Sequence, residues 1–280
     1  MKMKHKKIVS VVALVVASLS AVQAQNTITG WTFDNYPSAS GTIVANPAPS
    51  TGSGTAGTLG FNNSYNGTTS ISSPDIIADV TGNSTGSGLN DWRLRGQTPG
   101  NGWSSQAPIG TQGAQFSAST AGFSGIVLTF DISTTKQAPA NLEVLYTTDG
   151  STWNNTTLSY AGANTAAVFN NTTSANTVMG SYIQMQNSAG GWYDGITANF
   201  SGISAANNDP DFAVQIVNAS TGVDDINQAG TAYNNSSGNW RLDNVVISGI
   251  QPVPEPSTLA LAACGVMTLV GFSRLRNRSA

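Results

Sequence analysis

Apolar and polar residues alternate along most of the chain with a period of two, which is typical of extended strands rather than helices. In residues 125–132, large apolar residues occupy every second position: Ile126, Leu128, Phe130 and Ile132. All four would share one face of a strand. The same pattern predicts ten further strands, over residues 27–33, 76–80, 92–96, 114–118, 142–146, 156–160, 181–186, 194–200, 212–216 and 240–248.

Turns rich in Asn, Gly and Ser separate these segments, and none of the segments has the sustained helical period that a parallel sheet would need for its crossovers. The pattern predicts an all-β fold, an antiparallel β-sandwich of the jelly-roll type over residues 25–250. Asp149-Gly150 predicts a hairpin turn whose return segment carries Trp153. Residues 37–73 are poor in large apolar groups and rich in Pro, Gly, Ser, Thr and Asn, and they are predicted to form a long loop or insertion. Two smaller sandwiches divided near residue 120 are the alternative.

The first 24 residues have the pattern of an export signal. Four lysines precede an apolar run over residues 8–16, and Val22-Gln23-Ala24 offers a small-residue cleavage site. This order predicts a signal peptide that is removed after Ala24. A retained membrane anchor is the alternative, but the apolar run is short for a helix that spans a bilayer.

The last 30 residues also combine an apolar segment with a cluster of basic residues. Residues 258–272 carry no charge, and Arg274, Arg276 and Arg278 follow at once. As a helix the apolar segment would be about 22 Å long, against about 30 Å for a hydrocarbon core. Basic residues beside a membrane segment stay on the cytoplasmic side. The sequence predicts a C-terminal hydrophobic helix that holds the chain at the membrane with residues 25–250 outside.

The motif Val253, Pro254, Glu255 and Pro256, followed by the apolar run and the basic end, resembles a PEP-CTERM sorting signal. The resemblance covers residues 251–280. It implies a bacterial exported protein whose tail is recognised, and cut near Pro-Glu-Pro, by an exosortase-type membrane transpeptidase. It also implies a final location at the cell surface or in extracellular polysaccharide. Cys264 is not part of this pattern and is interpreted as a small apolar residue.

The composition of residues 25–250 excludes several classes of function. This region has four basic and 13 acidic residues, a net charge of −9, which argues against nucleic acid as a partner. It contains no His and no Cys, so Ser-His-Asp and Cys-His catalysis and zinc sites built on these residues are excluded. Its one glutamate is Glu143. We therefore expect a non-catalytic protein, structural or glycan-binding. The alternative is a polysaccharide lyase or hydrolase that uses aspartates.

Three of the four basic residues of this region lie beside or near tryptophan. Trp92, Arg93 and Trp103 are candidates for glycan binding, with indole rings stacking on sugars and the guanidinium bonding their hydroxyls. The competing interpretation places the tryptophans in the core and the arginines in ion pairs, and we favour it for Trp240 and Arg241.

Residues 29–34 and 239–248 resemble the opening and closing strands of secreted bacterial jelly rolls, including carbohydrate-binding modules. The resemblance implies that these strands run side by side and that Asp34 and Asp243 hold a structural calcium. Oxygen-rich loops at Asp209 and Asp211, or at Asp224 and Asp225, would serve equally well. A further motif, Gly52-Ser-Gly54-Thr-Ala-Gly57, matches a dinucleotide-binding fingerprint, but its loop-like surroundings lack the flanking strand and helix that would bind a pyrophosphate.

Overall fold

The structure of the chain is a computed structural model. It describes residues 24–36, 42–61, 74–78, 90–95, 103–104, 107–164, 166–172, 180–185, 191–219, 234–235 and 238–252. Within these residues the fold is almost entirely β, and the one helical element is the 3-10 turn Ser204–Ala206. The all-β prediction is confirmed.

The strands of the first half of the chain are β1 Asn26–Trp31, β2 Thr42–Ile43, β3 Thr51–Gly52, β4 Thr55–Leu59, β5 Pro74–Ala78, β6 Asn90–Arg95, β7 Trp103–Ser104, β8 Gly113–Ser117 and β9 Ser124–Thr134. The strands of the second half are β10 Asn141–Thr147, β11 Asn154–Asn155, β12 Leu158–Ser159, β13 Ala166–Thr172, β14 Gly180–Met185, β15 Trp192–Asn199, β16 Ala213–Asn218, β17 Asn234–Asn235 and β18 Asn239–Ile250.

Sheet A has the strand order β12-β15-β9-β18-β6-β5-β2 and is antiparallel throughout. The long strand β18 pairs with β9 along one edge. Its other edge pairs with β6 over residues 239–242 and with β1 over residues 245–249. The first and last strands therefore run side by side, as the resemblance to jelly rolls implies.

Sheet B has the antiparallel order β13-β14-β10-β16-β8-β4, with β11 beside β10. The β10–β11 pair is the hairpin that Asp149-Gly150 predicts. Strands from before and after residue 120 pair with each other in both sheets, which does not fit a division into two smaller sandwiches at that point.

The two sheets share one hydrophobic core, in which the alternating residues of the strands meet. Ile126, Leu128 and Phe130 of β9 are all fully buried, as their spacing predicts. Trp31 of sheet A contacts Phe116 of sheet B edge to face, with ring centroids 5.0 Å apart. Burial of such aromatic pairs is a major part of the free energy that holds two sheets together.

The segment predicted as a loop between residues 37 and 73 contains three strands among its described residues, so this prediction is wrong in part. β4 forms the edge of sheet B by pairing with β8. Its small side chains do not signal a strand, because backbone pairing at an edge needs no large apolar group. The glycines of the motif are needed for close packing, since a Cβ on Gly52 would overlap the carbonyl oxygen of Ile28 and one on Gly54 would overlap that of Ser117.

Candidate functional site

The outer face of sheet B carries rows of neutral polar side chains. Every second residue of β8, β10 and β16 points into the core, so the residues between them lie on the outer face. Strand register aligns these outer residues across the sheet. One row consists of Thr147, Ala213, Ser117 and Thr55. The next row consists of Leu145, Gln215, Gln115 and Gly57.

A groove of about 450 Å³ lies over the first of these rows. Its floor is the small side chain of Ala213, and its polar lining includes Thr55, Gln115, Ser117, Thr147 and Asp211. A second, smaller groove of about 250 Å³ continues along β4, from Thr55 to Leu59, and shares Gln115 with the first. The two grooves follow the outer face of the sheet from β10 to its edge strand.

Trp153 forms part of the wall of the larger groove. The chain has six tryptophans, and five of them are less than 2 % exposed: Trp31, Trp92, Trp103, Trp192 and Trp240. Trp153 is half-buried instead. It is therefore the tryptophan whose ring is available to a ligand.

The turn that presents Trp153 is held by the carboxylate of Asp149. Its Oδ1 accepts hydrogen bonds from the backbone N–H groups of Ser151, at 2.8 Å, and Thr152, at 2.6 Å. The hydroxyls of Thr147 and Ser151 donate to the same oxygen. These bonds, those from Thr152 first, lower the pKa of Asp149 well below its ordinary value. The Asp149 carboxylate stabilises the turn, and the turn fixes the position of Trp153.

An oriented chain of side-chain hydrogen bonds crosses the face beside the groove. The Nε2 of Gln215 donates to the Oε1 of Gln115 at 3.0 Å. The Nε2 of Gln115 donates in turn to the hydroxyl of Ser117 at 3.4 Å. Because both amides are held in place, a ligand meets a preorganised set of donors and acceptors rather than mobile side chains.

The far wall of the groove carries a pair of aspartates. Asp211 is exposed and lines the groove, whereas Asp209 behind it is only 6 % exposed. The backbone N–H of Asp211 donates to the Oδ1 of Asp209 at 2.9 Å. Burial raises the pKa of Asp209, and the negative charge of Asp211 adds to this rise. The region at this wall is therefore unfavourable for further negative charge.

Away from the groove, the same face of β10 bears two buried polar side chains. Asn141 is 1 % exposed and Glu143 is 2 % exposed. Among the residues described, no hydrogen-bond partner is present for Glu143 Oε1 or for either amide atom of the Asn141 side chain. Burial raises the pKa of Glu143 from 4.5 to about 8. Glu143 therefore holds its proton at neutral pH in the folded protein.

The predicted glycan platform is corrected by the structure. Trp92 and Trp103 are both fully buried, so neither ring face is available to a sugar. Trp92 packs against Phe33 and Phe116, and Trp103 packs against Trp240. Arg93 follows Trp92 in β6 and therefore lies on the opposite, outer face of the strand, whereas both rings are in the core, so the three residues do not form one site.

The interpretation favoured for Trp240 and Arg241 is confirmed. Trp240 is fully buried, and its indole N–H donates to the carbonyl oxygen of Pro139 at 2.9 Å. Arg241 forms an ion pair with Asp91 at 3.1 Å. The Asp91 side chain is 0 % exposed and that of Arg241 is 16 % exposed, so the carboxylate is shielded from solvent while the arginine is partly exposed.

The two residues predicted to hold calcium differ in burial and in their hydrogen-bond partners. Asp34 is exposed, and its Oδ1 accepts a hydrogen bond from the backbone N–H of Asn90. Asp243 is fully buried and lies opposite Asp131 of β9. The side-chain amide of Asn244 donates to both of these buried carboxylates, at 2.8 Å to Asp131 and 3.2 Å to Asp243. In the described part of the chain, no group of three or more acidic, His or Cys side chains could hold a metal ion.

Several sequence predictions fall on residues that the structure does not describe. The motif Val253, Pro254, Glu255 and Pro256 lies outside the described residues, as do Asp224, Asp225, Cys264 and the apolar segment 258–272. So does the signal segment before Ala24. The described residues include no helix with the length and apolar character needed to cross a membrane.

Comparison with family models, curated protein sequences and solved structures finds no match for this chain. Its function is therefore inferred from the site and from the sequence. Trp153 is not among the residues predicted to bind glycan, although the sequence holds a signal for it. Trp92 and Trp240 are each followed two residues later by a leucine on the same face of the strand, which is the pattern of a core-facing residue. Trp153 follows a turn, and its neighbours do not alternate between apolar and polar residues.

Proposed function

We propose that this chain is an exported, non-catalytic jelly-roll protein that binds polysaccharide at the cell surface or in the extracellular matrix. The observation that carries the proposal is the groove on sheet B, with half-buried Trp153 beside neutral hydroxyl and amide groups. Indole rings stack on the apolar faces of sugars, and hydroxyl and amide groups bond sugar hydroxyls. The groove volume falls within the range of about 300–1,000 Å³ that is typical of small-ligand sites.

Binding is proposed rather than hydrolysis because of the carboxylates near the groove. A glycosidase needs two carboxyl groups that flank the scissile bond, about 5–10 Å apart. Among the described residues that line the groove, Asp211 is the one with a carboxyl group, and Asp209 behind it is buried. The described lining of the groove therefore does not present a pair of carboxyl groups to a ligand. The jelly-roll topology is supported by the antiparallel pairing of the first strand with the last.

Substituting Trp153→Ala is expected to weaken polysaccharide binding by at least about tenfold, the equivalent of about 1.4 kcal/mol, because the stacking surface is lost. Trp153→Phe should retain part of the affinity, and Lys136→Ala, an exposed change in the turn after β9, should retain all of it. The measurement is binding of the purified proteins to an array of polysaccharides.

Two results would contradict this proposal. Wild-type binding that survives Trp153→Ala would place the ligand elsewhere on the molecule. Release of reducing sugar from a bound polysaccharide, abolished by Asp211→Asn, would instead support the alternative of a polysaccharide-acting enzyme.

We propose export because of the signal segment at the N-terminus, and sorting because of the PEP-CTERM-like tail. We expect the released protein to lack its basic end, with a new terminus near Pro254–Pro256. The double change Pro254→Ala and Glu255→Ala should keep the tail attached and retain the protein in the membrane fraction, whereas Pro252→Ala, just before the motif, should not. Intact mass spectrometry of both fractions measures this, and a released protein that still ends at Ala280 would refute cleavage.

A further inference from the structure

Among the described residues, the basic residues belong to sheet A or to the turn that follows one of its strands. Between residues 25 and 252 the basic residues are Arg93, Arg95, Lys136 and Arg241. Three of them belong to strands β6 and β18 of sheet A, and Lys136 follows β9 of the same sheet. The seven strands of sheet B contain no lysine and no arginine. A ligand on the outer face of sheet B therefore finds no basic side chain on its strands to pair with an anionic group.

Negative charge, in contrast, adjoins the groove. Asp211 lines it, Asp209 lies directly behind Asp211, and Asp149 holds the turn beside Trp153. The Oδ1 of Asp149 accepts the hydrogen bonds of its own turn, and Asp209 is buried. Asp211 is exposed and lines the groove, so it is the carboxylate that faces a ligand. A sugar hydroxyl can donate a hydrogen bond to this carboxylate. A uronic acid or sulfate group at the same position cannot donate and is repelled.

We propose that the groove over sheet B selects an uncharged polysaccharide and rejects polymers that carry carboxylate or sulfate groups. This inference rests on the proposed glycan binding and names its substrate class. The repulsion between two exposed charges about 4 Å apart is on the order of 1 kcal/mol in water, or about fivefold in affinity. If every sugar of a polymer carries a negative charge, Asp211 repels the polymer however it is positioned along the groove. Salt should reduce the discrimination, because the Debye length falls from about 30 Å at 0.01 M to about 3 Å at 1 M.

The test compares neutral and anionic polymers that share one backbone. Dextran and hydroxyethyl cellulose are the neutral probes, and carboxymethyl dextran and carboxymethyl cellulose are their anionic counterparts. With the full-length protein, isothermal titration calorimetry at about 10 mM salt should show at least about fivefold tighter binding to the neutral member of a pair. The ratio should approach one at about 1 M salt.

Asp211→Asn keeps the shape and an acceptor oxygen at this position but removes the charge. We expect it to bring the ratio of the affinities for the neutral and the anionic polymer closer to one, because the charge that repels the anionic polymer is gone. Asp34→Asn, at an exposed carboxylate beside sheet A, is the matched control and should leave the ratio unchanged.

The results that would contradict the charge selection differ from those that would contradict glycan binding. Equal or tighter binding to the carboxymethyl polymers at low salt would overturn the charge selection and leave glycan binding intact. An unchanged ratio in Asp211→Asn would also overturn it. Failure to bind any of the four polymers, or binding that Trp153→Ala does not weaken, would count instead against the proposed function.

Discussion

Replacing Glu143 with glutamine is expected to stabilise the protein at pH 9 and to change its stability little near pH 4.5. Glu143 is 2 % exposed, and burial raises its pKa from 4.5 to about 8. Glutamine has nearly the same shape and does not titrate. Since each pKa unit corresponds to about 1.4 kcal/mol, the gain at pH 9 is of the order of a few kcal/mol, with roughly 5 kcal/mol as its upper limit.

The direction follows from the protons that each state binds. Between pH 4.5 and about 8 the unfolded chain has an ionised Glu143, while the folded protein still holds the proton. Stability therefore falls as pH rises through this window, because the folded state binds more protons than the unfolded state. Above the window both states are ionised and the loss is complete. Below it both are protonated and the group contributes no pH dependence.

Urea unfolding of wild type and Glu143→Gln from pH 4 to pH 9 measures this effect. The two free energies of unfolding should converge at the acid end and separate steadily above pH 4.5. Curves that stay parallel across the range would show that the folded carboxyl titrates as it does in the unfolded chain, and the expectation would be wrong.

Arg241→Met is expected to destabilise the fold by up to about 3–5 kcal/mol, because it removes the guanidinium that pairs with the buried Asp91 carboxylate. The two groups are 3.1 Å apart. Asp91→Asn should cost less, since the Arg241 side chain is 16 % exposed and reaches water while that of Asp91 is 0 % exposed. The double variant should recover most of the loss, because both charges of the pair are then absent.

A double-mutant cycle in denaturant unfolding separates this interaction from the effects of each substitution alone. A coupling free energy of at least about 1 kcal/mol between positions 91 and 241 is expected. Additive costs would mean that the interaction between the two charges contributes little to the stability of the fold.

Side-chain alternation predicts the strands whose inward residues are large. It predicts β9, β10, β16 and β18, because apolar groups on one face must meet the opposite sheet. It does not predict β4 or β13. β4 reads Thr-Ala-Gly-Thr-Leu, and as an edge strand it is stabilised by backbone pairing with β8 more than by its own side chains.

The candidate site is harder to predict because it is made by pairing between distant segments. Thr55, Ser117 and Thr147 lie in one row only because β4, β8, β16 and β10 adopt a particular order and register. The alternation of a single strand shows which face a residue occupies but not which strand lies beside it. The same limit applies to Asp243, whose partner across the sheet, Asp131, is more than 100 residues away in sequence.

The position of β18 between β9 and the pair β1 and β6 also sets the timing of folding during synthesis. More than 200 residues separate β1 from β18, which corresponds to roughly 10–40 s at about 5–20 residues per second. A nascent chain that has reached β16 contains every strand of sheet B but lacks the central strand of sheet A. The face with the groove can therefore assemble early, while the inward side of sheet B has no complete partner until residue 250 has been made.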